Sequence, residues 1–122
     1  MTEMRSGLPI LLFETRQALG EWLGAQPHDT AGVWLRFAKK GAGFASVTKA
    51  EAIDQALCHG WIDGQLDKYD AASWLVRFTP RKARSKWSEV NRNRAMELIT
   101  DDRMTQRGLS EIETAKADGR WD

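Results

Sequence analysis

The chain has a single cysteine, Cys58, which excludes an internal disulfide and a cysteine-based metal cluster. Cys58 falls in an apolar helical stretch, where a thiol reads as a small buried hydrophobe rather than a reactive group. Histidine is nearly as scarce: His28 and His59 are far apart and lack metal-ligand spacing. His28 sits in a polar loop, and His59 stands at a helix end, where the macrodipole favours a cation. Cys58 and His59 are neighbours, but adjacent helical residues point about 100° apart and do not face each other. A Cys–His catalytic pair is therefore not expected. A glycine-rich phosphate loop is also missing, because KKGAGFAS (39–46) has wrongly spaced glycines and no lysine–serine pair opening a helix. No cofactor and no metal are expected. Long apolar runs are absent too. The stretch from Leu8 to Phe13, broken by Pro9, is too short for a bilayer span or a secretory signal. A reduced, cytoplasmic setting is the expectation.

What is present is enough for one folded unit. A length of 122 residues implies a single domain, 1–122, able to bury roughly two-thirds of its unfolded surface. A hydrophobic share of 42% with six tryptophans supplies a core. Residues 1–7 read as a flexible leader. LPILLF (8–13) reads as a short strand, placed at an edge by Pro9. Leu19, Trp22 and Leu23 form the stripe of a helix over about 15–26. In 31–38 Val33, Leu35 and Phe37 alternate with Trp34 and Arg36, the pattern of a strand. Thr48 and Glu51 make a capping box for a helix to about His59, which Gly60 stops. Strands follow at 61–67 and 73–79, then helices at 88–100 and about 110–118. The expected fold is α+β, a small antiparallel sheet of three to four strands packed against three or more helices.

Charge is the most uneven property of the chain. Arg77, Arg81, Lys82, Arg84, Lys86, Arg92 and Arg94 lie between 77 and 94 against one acid, Glu89. That segment is +6 in a chain of net charge +1, so the remainder carries −5. Such a cluster meets an anion or holds the protein's own acidic surface. An even pairing sum of 140 across the hairpin sets Ile62 against Phe78, Leu66 against Trp74 and Asp63 against Arg77. Pro80 ends the second strand, and Ser88 caps the next helix. The amide groups of that helix start, the loop cations and the Ser85 hydroxyl would then converge, an arrangement suited to phosphate or carboxylate. Trp87 either offers a flat face to a ring or packs in the core. Nucleic acid is a weaker partner for this chain, since no helix carries a continuous basic face.

GVWLRFAKKGAG, SVTKAEAIDQALCHGWIDGQ, SWLVRFTPRKARSKWSEVN and RMTQRGLSEIETAKADGRWD together resemble the bacterial YdeI/OmpD-associated family, labelled bacteriocin-protection proteins. The WIDG and FTPRKxxSxWSxxN blocks carry the resemblance, which covers nearly the whole chain from Leu8. Members usually continue into a helical basic module, so the resemblance implies that this chain is the amino-terminal portion. It implies tolerance of bacteriocins or cationic antimicrobial peptides, association with an outer-membrane porin, and a periplasmic location. No signal segment opens the chain, so the cytoplasmic expectation is kept. The pattern also draws attention to Lys40, Asp63, Arg77, Arg81, Ser85, Trp87 and Asn91. With Lys86 and Ser88 these form the candidate ligand-binding set. The leading expectation is a non-enzymatic stress-tolerance module with an anion-binding patch around Arg81–Ser88, its partner a small anionic ligand or a protein. The alternatives are an enzyme using Asp63 with Lys40 and Arg81, a nucleic-acid-binding module, or an interaction module with exposed tryptophans.

Overall fold

Alternation of Val33, Leu35 and Phe37 builds the central strand of the protein, with all three side chains buried on one side of a sheet. The structure, a computed structural model, describes residues 3–27, 29–82 and 85–121. His28 and Arg84, both named above, lie outside the described residues. The elements run β1 (Met4–Arg5), β2 (Leu8–Leu11), α1 (Arg16–Ala25), β3 (Val33–Ala38), α2 (Lys49–Cys58), β4 (Trp61–Lys68), β5 (Ser73–Pro80), α3 (Glu89–Thr100) and α4 (Gln106–Ala117). The class is α+β, as expected. The sheet has five strands rather than three or four, in the order β1-β2-β3-β5-β4.

It is also mixed rather than antiparallel. Residues 12–32 carry α1 across one face, and a crossover of that length returns the chain parallel, so Ile10 lies beside Trp34 and Leu11 beside Leu35. The expected leader is not loose from residue 4 onward. Met4 and Arg5 fold back on Pro9 and Leu8. Arg5 anchors that end, its guanidinium 2.9 Å from Asp67 and 2.7 Å from the Lys68 carbonyl.

Two layers of core hold the fold. On one face of the sheet Val33, Leu35, Phe37, Val76, Phe78 and Trp61 pack against Leu19 and Leu23 of α1 and Ala52 and Ala56 of α2. The opposite face buries Leu8, Ile10, Trp34 and Leu75. Beyond the sheet, α3 and α4 form a third cluster in which Ala95, Leu98, Ile112 and Ala115 enclose Cys58 and Trp87. Burial pushes the Cys58 thiol up from its ordinary range, consistent with an inert hydrophobe. The expected capping box of α2 forms, and Ser88 caps α3 by accepting from the Asn91 amide. The last helix starts earlier than expected, because Thr105 caps it by accepting from Gly108 N–H. No helix of the described residues is long and apolar enough to cross a membrane.

The hairpin register differs from the expected sum of 140: it is odd from Trp61 to Asp63 and even again from Leu66 to Lys68. Trp61 stands opposite Pro80, Ile62 opposite Thr79, and Asp63 opposite Phe78. A bulge between Asp63 and Leu66 then shifts the pairing, so that Leu66 meets Val76 and Lys68 meets Trp74. The physical reason is Trp61. Turning this large ring inward leaves it 0% exposed, while Leu66 remains 58% exposed. The bulge lets Trp61 turn toward the helices and still sets Leu66 opposite Val76, near the exposed end of the hairpin. Opposed residues share a face, so Asp63 sits on the helix side with Phe78, and Arg77 on the other side, opposite Trp34. The expected Asp63–Arg77 pair does not form.

Candidate functional site

The basic segment begins where β5 leaves the sheet. The Arg81 backbone N–H donates to the Gly60 carbonyl at 2.9 Å, extending the β4–β5 pairing by one bond and fixing where its side chain emerges. The crossover that follows is shaped by arginines acting on the protein's own backbone. Arg120 donates to the Ser85 carbonyl (2.8 Å), Arg81 to the Lys86 carbonyl (3.2 Å) and Arg92 to the Trp87 carbonyl (3.0 Å). Arg94 instead grips Asp54, with both contacts at 2.7 Å. Three of the seven cations of that segment are thus engaged internally, Arg81 and Arg92 on backbone carbonyls and Arg94 on acidic side chains.

Arg81 is the most deeply buried of these cations, and Arg120 shares with it a buried nitrogen that has no partner. The Arg81 side chain is only 6% exposed and lies over the Trp87 ring at 3.7 Å. Its Nε and one terminal nitrogen are buried without a hydrogen-bond partner. Burial pulls its pKa down to about 10; Glu111 and Asp63 oppose that shift and Arg120 adds to it. A half-satisfied buried guanidinium is costly, since burying a charge is tolerated only with pairing and hydrogen bonds. The Nε of Arg77 is likewise buried and unpartnered.

Arg77 and Arg81 share a hollow of about 310 Å³ with Lys82, Thr79, Thr30 and Asp29. Gly32 makes this hollow possible. A Cβ there would lie 2.7 Å from the Phe78 carbonyl and 2.8 Å from the Thr79 methyl, and its φ of +129° suits glycine alone. The residues before β3 can thus press against the end of β5 and wall the site. Asp29, Thr30 and Thr79 carried no signal in the sequence, because only the β3–β5 pairing brings them together.

The candidate set divides. Arg77 and Arg81 meet in the hollow, and Asp63 sits near enough to Arg81 to favour its charged form. Trp87 backs the site as packing: Arg81 occupies one side of it, Trp121 lies 5.0 Å away, and 6% of it is exposed. It offers no open face for a base. Ser85 closes the loop by accepting from Lys82 N–H, and Lys86 is exposed. Ser88 spends its hydroxyl on the Asn91 amide, while Asn91 lines a separate groove with Ala50, Ile53, Asp54, Val90 and Arg94. Lys40 is elsewhere altogether. It follows the end of β3 opposite Ser73, and about 17 Å of paired strand separates that end from the Arg81 end. The Asp63–Lys40–Arg81 catalytic trio is not assembled. None of the six tryptophans is exposed, which removes the premise of an interaction face built on them. His59 caps α2 but is not favoured as a cation; burial and Arg107 lower its pKa.

Two larger concavities carry less suitable chemistry. A broad groove between α1 and α2 holds His59, Gln55 and Arg103 among others, and a second hollow near the hairpin tip is lined by Trp74, Leu66 and Tyr69. Among the described residues no group of three or more His, Cys, Asp or Glu is placed to hold a metal ion. A family model described as a domain of unknown function (DUF8412) matches residues 11–111. The chain belongs to this family. No curated protein and no solved structure matches it. The matched span of the DUF8412 domain includes Arg77, Arg81 and Lys82, and ends before Arg120 and Trp121.

Proposed function

We propose that the chain is a non-enzymatic binding module for an anionic ligand, seated where β5 passes into the crossover. One observation carries this reading: Arg81 is buried in a hollow shared with Arg77 and Lys82, yet two of its nitrogens have no partner. A fold gains little from a desolvated cation with idle donors, whereas a ligand carrying oxygens would satisfy them. The site differs from the sequence expectation in location, since it is built on a strand end rather than on the Ser88 helix start. The resemblance to YdeI/OmpD-associated, bacteriocin-protection proteins supplies the physiological side of the proposal, a cytoplasmic role in tolerance of stress or of antimicrobial peptides. The test is binding measured at several salt concentrations for wild type and for Arg77→Gln. Salt-sensitive anion binding that weakens in the variant is expected. Absence of any salt-sensitive binding by wild type would remove the proposal.

A further inference from the structure

Resting on the anion-binding reading above, we infer that the hollow receives a phosphate group, either free phosphate or the head of a phosphate monoester, rather than a carboxylate. Among the described residues Arg77, Arg81 and Lys82 line it against one carboxylate, Asp29, and the nearby Asp63 and Glu111 act on Arg81 from outside it. A phosphate monoester carries about −1.5 to −2 near neutral pH and can engage several cations at once, whereas a carboxylate carries about half as much.

The donors point the same way. Arg77 and Arg81 line the hollow, and each carries buried guanidinium nitrogens without a partner. Lys82 adds an ammonium, and Thr30 and Thr79 add hydroxyls. These groups come from the loop before β3, from β5 and from the start of the crossover, so they approach from different elements. A planar carboxylate has two oxygens in one plane. A tetrahedral phosphate presents its oxygens in several directions and accepts guanidinium forks in pairs. The hollow, at about 310 Å³, stands at the small end of ligand sites, room for a phosphate and a short attached group.

Calorimetric titration at fixed ionic strength tests this with three probes: inorganic phosphate, glycerol 2-phosphate and acetate. Both phosphates are expected to bind at least tenfold more tightly than acetate. Whichever phosphate binds better tells a free-phosphate site from a monoester site, and either ranking supports the inference. Arg77→Gln and Lys82→Gln alter side chains that are half-buried and exposed, so both variants should fold, as circular dichroism would verify. Each is expected to weaken phosphate at least fivefold. Acetate binding as tightly as phosphate would overturn the phosphate assignment while leaving the broader anion reading intact. Phosphate binding unchanged in both variants would place the ligand elsewhere and overturn this inference. No salt-sensitive binding of any probe would overturn both.

Discussion

Replacing Arg81 by methionine separates an arginine that holds the fold from one that waits for a ligand. Two opposing contributions nearly cancel. Burial lowers its pKa to about 10, a penalty on the charged form on the order of 3 kcal/mol at about 1.4 kcal/mol per tenfold. In its favour stand the stack on Trp87, about 2 kcal/mol when desolvated, and the bond to the Lys86 carbonyl. At 3.2 Å that bond belongs at the lower end of the roughly 1.5–3 kcal/mol range for a charged donor. Methionine keeps the length of the chain and regains about 0.3–1.5 kcal/mol from sulfur on an aromatic ring. The expected change is therefore within about 1 kcal/mol, measured by urea unfolding followed through tryptophan fluorescence in anion-poor buffer. Phosphate at ten times its Kd should then stabilise wild type by about 1.4 kcal/mol and the variant not at all. A loss above about 3 kcal/mol without phosphate would refute the reasoning, because Arg81 would then be a satisfied structural residue.

Three further outcomes follow from the same geometry. Leu66→Ser should cost less than about 0.5 kcal/mol, since Leu66 is 58% exposed, and a loss of 2 kcal/mol or more by urea unfolding would contradict that exposure. Gly108→Ala should destabilise by about 2 kcal/mol despite alanine's better helix propensity. Its Cβ would lie 2.4 Å from the Cys58 carbonyl oxygen and 2.5 Å from the Met104 sulfur, so an unchanged thermal midpoint would contradict that packing. For His59 burial comes first and Arg107 second in lowering the pKa from 6.5, so the unfolded chain holds the proton more tightly. Its contribution is complete above about pH 6.5 and is lost as pH falls below that value. The urea midpoint of wild type should accordingly drop relative to His59→Gln between about pH 7 and 5, and a constant difference would contradict it.

Period and cap chemistry made most of the elements legible. The alternation of Val33, Leu35 and Phe37, and the Thr48–Glu51 box, are local signals that tertiary structure did not override. The hairpin register turns on Trp61. Counting apolar residues on alternate positions favoured Ile62 and Leu66, whereas the structure buries the single largest ring and absorbs the mismatch in a bulge. The parallel β2–β3 pairing was implicit in a strand–helix–strand order, but Pro9 drew the reading toward an edge. Of the candidate site, the cations themselves were visible as a charge cluster. Their sorting was not, because donation to backbone carbonyls, as by Arg92 and Arg120, leaves no mark in composition. Thr30 and Asp29 join Arg77 only through strand order, which no local pattern encodes. Lys40 was named on resemblance alone, and the length of β3 carries it to the far end of the sheet.

The most direct measurement is electron density from crystals grown with and without phosphate. Tetrahedral density between Arg77, Arg81 and Lys82, with oxygens about 2.7–3.2 Å from the idle guanidinium nitrogens, is the expected result. Ordinary solvent in that hollow at saturating phosphate, with Arg81 turned onto Asp63 or Glu111, would contradict the account.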